Sequence, residues 1–367
     1  MQYHQGQSTL PRIETLGRSI GLSISRRQLQ RLLGDTKDAF VAEAQDVLRA
    51  GLRTSSWVSV DDTGAHHAAK HGSCTRIGND WFTWFGTRSS KSRLNFLDLL
   101  RAGHTDYVLD DAAYLDMRDH GLSAALIARL KAQPETRFAD LPAWSVHLDR
   151  LGFTGLTAAA DPIRVATEGA MWASVKAHRF LCDAVVLSDD AGQFNISHHA
   201  LCWIQAERLA HKLDTRNERY RAAQARVRGF IWDFHADLKV CRENPGKRRA
   251  AGLRARFDRI FLGRTGFATL DRLLKRLHAN KAELLMVLDR PAMPQHINGS
   301  ENDIRCSSIT SGRERGSPMP RLPTFLPLLW VTGGWSGIRT HGTLTRTAVF
   351  KTAALNRSAI HPIQSGA

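Results

Sequence analysis

The chain has 367 residues, enough to bury a substantial core and to hold two or three structural units. Its 51 Lys and Arg against 35 Asp and Glu give a formal charge of +16, which favours a polyanionic partner, with nucleic acid as the leading candidate. Five cysteines without C-x-x-C spacing exclude a secreted disulfide framework and indicate a reducing cytosol. A polar N-terminus and a longest C-terminal apolar run of only Phe325 to Val331 predict no membrane association.

Two short helices are predicted for residues 10–33, with Gly21 between them. Ser25, followed three residues later by Gln28, forms a capping box for the second helix. The apolar face of that helix is predicted to be buried and consists of Leu29, Leu32 and Leu33. Its basic face consists of Arg26, Arg27 and Arg31. The pair is either a helix-turn-helix whose second helix lies on DNA or an ordinary helical hairpin with solvated arginines.

A short strand ending on two acids follows, because residues 57–63 read W-V-S-V-D-D-T. The acids are Asp61 and Asp62. A carboxylate at the end of a core strand is costly unless it binds something positive. The plain alternative is a surface turn.

A hairpin and a helix are predicted next. Residues 72–77 and 81–86 alternate as strands around a Gly-Asn-Asp turn, and residues 92–101 have a helical pattern. Four possible metal ligands lie nearby, but their spacing is not typical of a closed zinc site; they are His66, His67, His71 and Cys74.

A second strand with an acidic end is predicted in residues 182–194, which read C-D-A-V-V-L-S-D-D-A-G-Q-F and contain Asp189 and Asp190. Residues 107–160 are interpreted as an insertion before it, in which Asp110 and Asp111 repeat the acid pair as decoy candidates.

A third acidic site is predicted in residues 299–305, which read G-S-E-N-D-I-R. Ser300 could cap a helix whose first turn carries Glu301 and Asp303. Two strand-end aspartates and one helical glutamate are a recurrent arrangement for two divalent ions. Such ions, about 3.5–4 Å apart, can activate a water or a 3′-hydroxyl in phosphodiester chemistry.

Residues 201–289 are predicted to be almost continuously helical, with two apolar stripes. The first stripe consists of Tyr220, Val227, Phe230, Ile231, Phe234 and Leu238. The second consists of Leu270, Leu273, Leu274, Leu277, Leu284 and Leu288. The basic residues between them are either solvated or hold DNA; they include Lys247, Arg248 and Arg249.

Several ordered segments resemble transposases of the insertion sequence 66 family, over residues 3–305. They include D-D-T-G-A-H-H, I-G-N-D-W-F-T-W-F-G-T, V-V-L-S-D-D-A-G-Q-F, L-C-W-I-Q-A-E-R and N-G-S-E-N-D-I-R. Members are of the DDE type, with a catalytic domain similar to RNase H. The resemblance therefore implies an α/β fold: an RNase H-like mixed sheet in residues 51–305 with a helical insertion at about 201–290, preceded by a helix-turn-helix-like region in residues 1–50.

The resemblance also implies which acids hold two Mg²⁺ ions, for which Mn²⁺ can substitute. Asp61 is preferred over Asp62 because D-D-T aligns with the family's D-E-T. Asp189 is preferred over Asp190 by its spacing to Phe194, and Glu301 is the third acid. Relatives typically have His at the position of Gln205, which puts any role of that imidazole in doubt.

Residues 306–367 depart from the family pattern, and we expect a disordered tail. Residues 337–340, within W-S-G-I-R-T-H-G, resemble translations read antisense through transfer-RNA genes. The expected protein is a transposase impaired by loss of its C-terminus, acting on transposon ends and target DNA as a homo-oligomer at the cytoplasmic nucleoid. The alternatives are an inactive remnant that only binds DNA and a metal-dependent nuclease without strand transfer.

Overall fold

The computed structural model describes residues 8–35, 37–67, 70–155 and 161–312, and this part of the chain has an α/β fold. The strands in it are β1 Trp57–His67, β2 Lys70–Gly78, β3 Thr83–Arg88, β4 Tyr107–Val108, β5 Arg137–Phe138, β6 Val185–Ser188 and β7 His198–Leu201. The α-helices are α1 Leu10–Ser19, α2 Arg26–Gly34, α3 Lys37–Thr54, α4 Arg93–Leu100, α5 Asp111–Asp119, α6 Ala124–Lys131, α7 Leu141–Arg150, α8 Pro162–Ala177, α9 Trp203–His211, α10 Glu218–Glu243, α11 Lys247–Phe261, α12 Ala268–Ala279, α13 Lys281–Leu284 and α14 Asn298–Gly312.

Five strands form one mixed sheet in the order β3-β2-β1-β6-β7. β3 pairs antiparallel with β2, and β2 pairs antiparallel with β1; a short turn joins β2 to β3, as the predicted hairpin requires. β6 lies parallel to both β1 and β7. Because parallel strands need a crossover connection, the helices α4 to α8 and the small β4-β5 ribbon occupy the chain between β3 and β6.

The two faces of the sheet pack against two separate cores. Val58, Val60 and Val186 belong to the core that contains α4 to α8. Trp57 and Leu187 belong to the core that contains α9 to α12. Successive side chains of a strand point to opposite faces, so the strand pattern fixes which neighbouring acid faces which core.

The N-terminal helices agree with the predicted pair, including the capping box in which the Ser25 side chain and the Gln28 side chain each accept from the other residue's backbone N–H. The predicted burial of the apolar face of α2 is wrong, because Leu29 and Leu33 are only half-buried and Leu32 is 66% exposed. α2 packs mainly against α1, which covers only one side of it.

The helical region is confirmed for α9 to α13, with one correction in the first stripe. Val227, Ile231, Phe234 and Leu238 are buried, whereas Phe230 is exposed. The buried set already repeats at the 3.6-residue period, so a residue directly beside Ile231 is turned off that face.

The helix that carries Glu301 is longer than predicted. It begins at Asn298, so Ser300 lies inside the first turn instead of capping the helix, and Ser300 is fully buried. The helix continues to Gly312, so the predicted start of the tail at residue 306 falls within it, while residues 313–367 lie outside the described part. Among the described helices, none combines the length and apolarity needed to cross a bilayer.

Candidate active site

Asp61, within β1, and Asp189, the residue after β6, lie near each other. The parallel register aligns Ser59 with Leu187, and both belong to the face that carries the α9 to α12 core. Continued by two residues, this register sets Asp61 beside Asp189, since neighbouring strands lie about 4.8 Å apart. The two preferred aspartates therefore share one edge and one face of the sheet.

The pKa of Asp61 reflects the nearby acids. The pKa of its carboxyl is raised to about 6, chiefly by burial and also by the charges of Asp189, Asp62 and Glu301, while the Asp62 backbone N–H that donates to it at 2.8 Å acts in the opposite direction. Burial likewise raises the pKa of Asp189, although the backbone N–H of Ala191 donates to it at 3.1 Å. A cation bound between such carboxylates favours their charged form and lowers their pKa.

Strand alternation directs Asp62 to the opposite face from Asp61, and Asp62 already has partners, although its charge also raises the pKa of Asp189. Lys91, just before α4, donates to one of its oxygens, and Gln193 Nε2 donates to the other at 2.9 Å. The side chain is 7% exposed, so its negative charge is matched inside the fold. This supports the choice of Asp61 over Asp62.

Asp190 also turns to other partners. Its carboxylate pairs with Arg276 at 3.0 Å and accepts from Asn280 Nδ2 at 3.3 Å, at the C-terminal end of α12. An acid held there does not share the position of Asp189. The geometry supports the sequence-based preference for Asp189.

Glu301 stands on α14 and is held by α9. Arg208 donates to both of its oxygens, at 2.5 and 3.0 Å, and Gln205 Nε2 donates at 2.7 Å. Hydrogen bonding to Glu301 in turn raises the pKa of the Arg208 guanidinium. The third acid is thus close enough to act on Asp61, while its own charge is matched by an arginine.

A buried polar cluster, here called the Arg76 clamp, fastens α14 to the sheet. It consists of Arg76 on β2, Ser59 on β1, Thr83 on β3, and Ser300 and Asp303 on α14. Arg76 pairs with Asp303 at 2.9 Å and donates to the Ser59 and Ser300 hydroxyls at 2.6 and 3.0 Å. Sequence reasoning missed Arg76, Ser59 and Arg208. The one available signal was a serine at an inward position of a core strand.

The comparisons with known proteins identify a relative. A protein from Sinorhizobium fredii that carries the name "Uncharacterized protein y4jO" is 43% identical over 275 residues, which cover 75% of this chain and 85% of the relative. The chain belongs to the family of y4jO. No family model matches it. No solved structure matches it either.

Among the described residues of the chain, one group of possible metal ligands has its ligand atoms within 4.8 Å of one another. It consists of His104, Asp106 and His178. The two imidazole rings stack at 3.6 Å with only 11° between their planes, so their in-plane lone pairs do not converge on one ion. Asp106 already accepts from Ser174 and His178, each at 2.9 Å. The group is a hydrogen-bonded support for the loop before β4.

The predicted trio of Asp61, Asp189 and Glu301 does not form such a tight group within the described ranges. His71 and Cys74 on β2 belong to no such group there either. The side chains of His66 and His67 lie outside what the structure describes.

The basic residues proposed for DNA divide into two kinds. Arg27, Arg31, Lys247 and Arg248 are exposed. Arg26 instead pairs at 2.6 Å with Glu14, whose side chain is 11% exposed, and so helps to join α1 to α2. Arg249 is exposed and donates to the Asn244 carbonyl at 3.0 Å near the start of α11.

Proposed function

We propose that this chain is a DDE-type transposase of the insertion sequence 66 family, with an RNase H-like catalytic domain. The observation that carries the proposal is the proximity of Asp61 to Asp189, whose charge raises the pKa of Asp61, beside the parallel pair β1-β6 in a sheet of order β3-β2-β1-β6-β7. An antiparallel hairpin followed by parallel strands, with a helix-borne acid across the same face, suits an RNase H-like site. The ordered sequence motifs around all three acids add to this support.

The donor set fits divalent cations. Asp61, Asp189 and Glu301 offer only carboxylate oxygens, the ligands that Mg²⁺ and Mn²⁺ prefer. The pKa values of Asp61 and Asp189 are raised chiefly by burial and further by neighbouring acids, which favours a bound cation, although Lys91 partly offsets this at Asp189. When bound, two such ions supply Lewis-acid stabilisation of the attacking and leaving oxygens of a phosphodiester.

The protein's own residues bind and orient around those acids. Lys91 and Gln193 hold Asp62, the residue next to Asp61 in β1. The exposed arginines and lysines of α2 and α11 contact the phosphates of double-stranded DNA, which neutralises charge without reading bases. We further propose a homo-oligomer on DNA at the cytoplasmic nucleoid, as the family resemblance implies.

One observation favours the second candidate, a catalytically inactive protein that only binds DNA. Glu301 is held by Arg208 and Gln205, and Gln205 replaces the histidine typical of the family. An acid neutralised by a guanidinium has a weaker pull on a cation than a bare one. In that case the function would be DNA binding by the basic surface.

A cleavage assay on DNA that carries transposon ends separates these functions. We expect weak Mg²⁺-dependent cleavage and strand transfer by the unaltered chain, because its C-terminus departs from the family pattern, and loss of both in Asp61→Asn and Glu301→Gln with DNA affinity nearly unchanged, because phosphate contacts come from Arg and Lys. Asp190→Asn is the matched control, since its carboxylate already pairs with Arg276.

Equal cleavage by all variants would contradict the assignment of the acids. DNA binding without cleavage by any of them would favour the second candidate. Cleavage without strand transfer would indicate a nuclease unrelated to transposition.

A further inference from the structure

The Arg76 clamp joins the strand of the first acid to the helix of the third. Arg76 is the residue directly opposite Asp61 in the antiparallel pair of β1 and β2. Its guanidinium reaches across the sheet to Asp303, two residues after Glu301, with Nε and Nη2 at 3.1 and 2.9 Å from the same carboxylate oxygen. The Arg76 side chain thus links the strand position opposite Asp61 to the helix that carries Glu301.

The remaining polar atoms of the clamp are matched inside the fold. Arg76 also donates to the Ser59 carbonyl at 3.0 Å and to the Thr83 hydroxyl at 3.0 Å. Thr83 donates to Asp303 at 2.9 Å, and Ser300 donates to Ser59 at 2.9 Å. Arg76 is 2% exposed and the Asp303 side chain 10%, so this ion pair is shielded from water and salt.

Polar contacts of the clamp hold α14 to the sheet, because the helix has few apolar side chains that could do so. Residues 300–305 contain one apolar side chain, Ile304, and isolated helices of this length are marginal in water. Removing one partner of a buried pair leaves an uncompensated charge, so the clamp permits few placements of the helix. Because Glu301 lies between Ser300 and Asp303, its backbone is fixed from both sides.

We infer that Arg76 and Asp303 are positioning residues that hold Glu301 in register with Asp61 and Asp189 for cation binding. The inference rests on the proposed function, because it takes those three acids as the ligands. The pair touches neither substrate nor cation and acts only through Glu301. Changes around metal ligands of this kind typically lower metal affinity by about 10-fold to 100-fold.

A double-mutant cycle on Mn²⁺ affinity tests the inference. The full chain is titrated with Mn²⁺, and free Mn²⁺ is read by electron paramagnetic resonance, which needs no turnover. We expect Asp303→Asn to weaken Mn²⁺ binding by about 10-fold, and to have no further effect in a Glu301→Gln background. Ser300→Ala, which removes two hydroxyl contacts without stranding a charge, is expected to change affinity in the same direction by less.

The matched control is Asp98→Asn. Asp98 pairs with Arg88 at 2.7 Å and with Arg101 at 2.8 Å, away from α14. We expect it to lower the unfolding midpoint without changing Mn²⁺ affinity, which separates positioning from general stability. Circular dichroism identifies any variant that does not fold, and Ser300→Ala then carries the test.

The outcomes distinguish the inference from the function on which it rests. If Asp61→Asn and Glu301→Gln leave Mn²⁺ affinity unchanged, the proposed ligand set fails and the inference falls with it. If those two weaken binding but Asp303→Asn and Ser300→Ala do not, the inference alone is wrong. An Asp303→Asn effect of equal size with and without Glu301 would also overturn it.

Discussion

In the ion-free protein, the ionised Asp61 carboxylate lowers the stability of the folded state. Its pKa rises from 3.8 to about 6 on folding, chiefly through burial, so the folded state binds the proton more tightly than the unfolded state. The stability that Asp61 contributes is therefore fully present below 3.8 and is lost as pH rises through about 6. Sites of this kind trade stability for binding.

We predict that Asp61→Asn stabilises the chelator-treated protein near pH 8 but not near pH 4. The expected gain is about 1–3 kcal/mol, discounted because the side chain is partly exposed. Urea unfolding at the two pH values measures it. Asp190→Asn, an exposed acid paired with Arg276, should change stability by less than about 0.5 kcal/mol at both. A gain that is the same at both pH values would contradict the prediction.

The second helix of the N-terminal pair presents its arginines unequally. Arg26, Arg27 and Arg31 are all exposed, but Arg26, with 65% of its side chain exposed, is also engaged by Glu14. Hydrogen bonding to Arg26 lowers the pKa of the Glu14 carboxyl. The three residues therefore have different tasks within one helix.

We predict that replacing both Arg27 and Arg31 with Ala weakens duplex binding and reduces the slope of log K against log salt. Each lost phosphate contact changes that slope by about 0.9. Arg26→Ala is the matched control, and it should loosen the α1-α2 contact while leaving the slope nearly unchanged. An unchanged slope in the double variant would mean that this face does not meet DNA.

The elements themselves were largely predictable. Alternating Val58 and Val60 predicted β1, and the Ser25 capping box predicted the start of α2, because both signals are local. The extension of β1 to His67 was missed, since it depends on pairing with β2 through its full length. The length of α14 was also missed, because polar contacts with distant strands hold it to the sheet.

The choice between neighbouring acids could not be made from spacing alone. It depends on the parallel register of β1 with β6 and on which face each carboxylate occupies. Those facts arise from strands that lie far apart in sequence. The family resemblance supplied a preference, and the partners of Asp62 and Asp190 supply a physical reason for it.

At the scale of the whole molecule, charge is spread well beyond any single element. Residues 313–367 hold seven basic side chains and one acid, so the rest of the chain keeps a formal charge of +10. We predict that deleting residues 313–367 changes duplex affinity by no more than about twofold, because most of the basic field remains. Fluorescence anisotropy at fixed salt measures this.

Loss of about tenfold or more in that deletion would assign DNA contacts to the deleted segment. Its control is the quadruple variant Arg27→Ala, Arg31→Ala, Lys247→Ala, Arg248→Ala in the full chain. We expect that variant to bind DNA far more weakly than the deletion, although it removes fewer residues.

The clamp also has a consequence for synthesis. Arg76 and Asp303 are 227 positions apart, so their pairing requires closure of nearly the whole described chain. A nascent chain on the ribosome has β1, β2 and β6 long before it has α14. Until residue 303 has left the exit tunnel, Asp61 and Asp189 stand without a clamped Glu301, and an incomplete chain presents the basic residues of α2 and α11 without the complete set of acids.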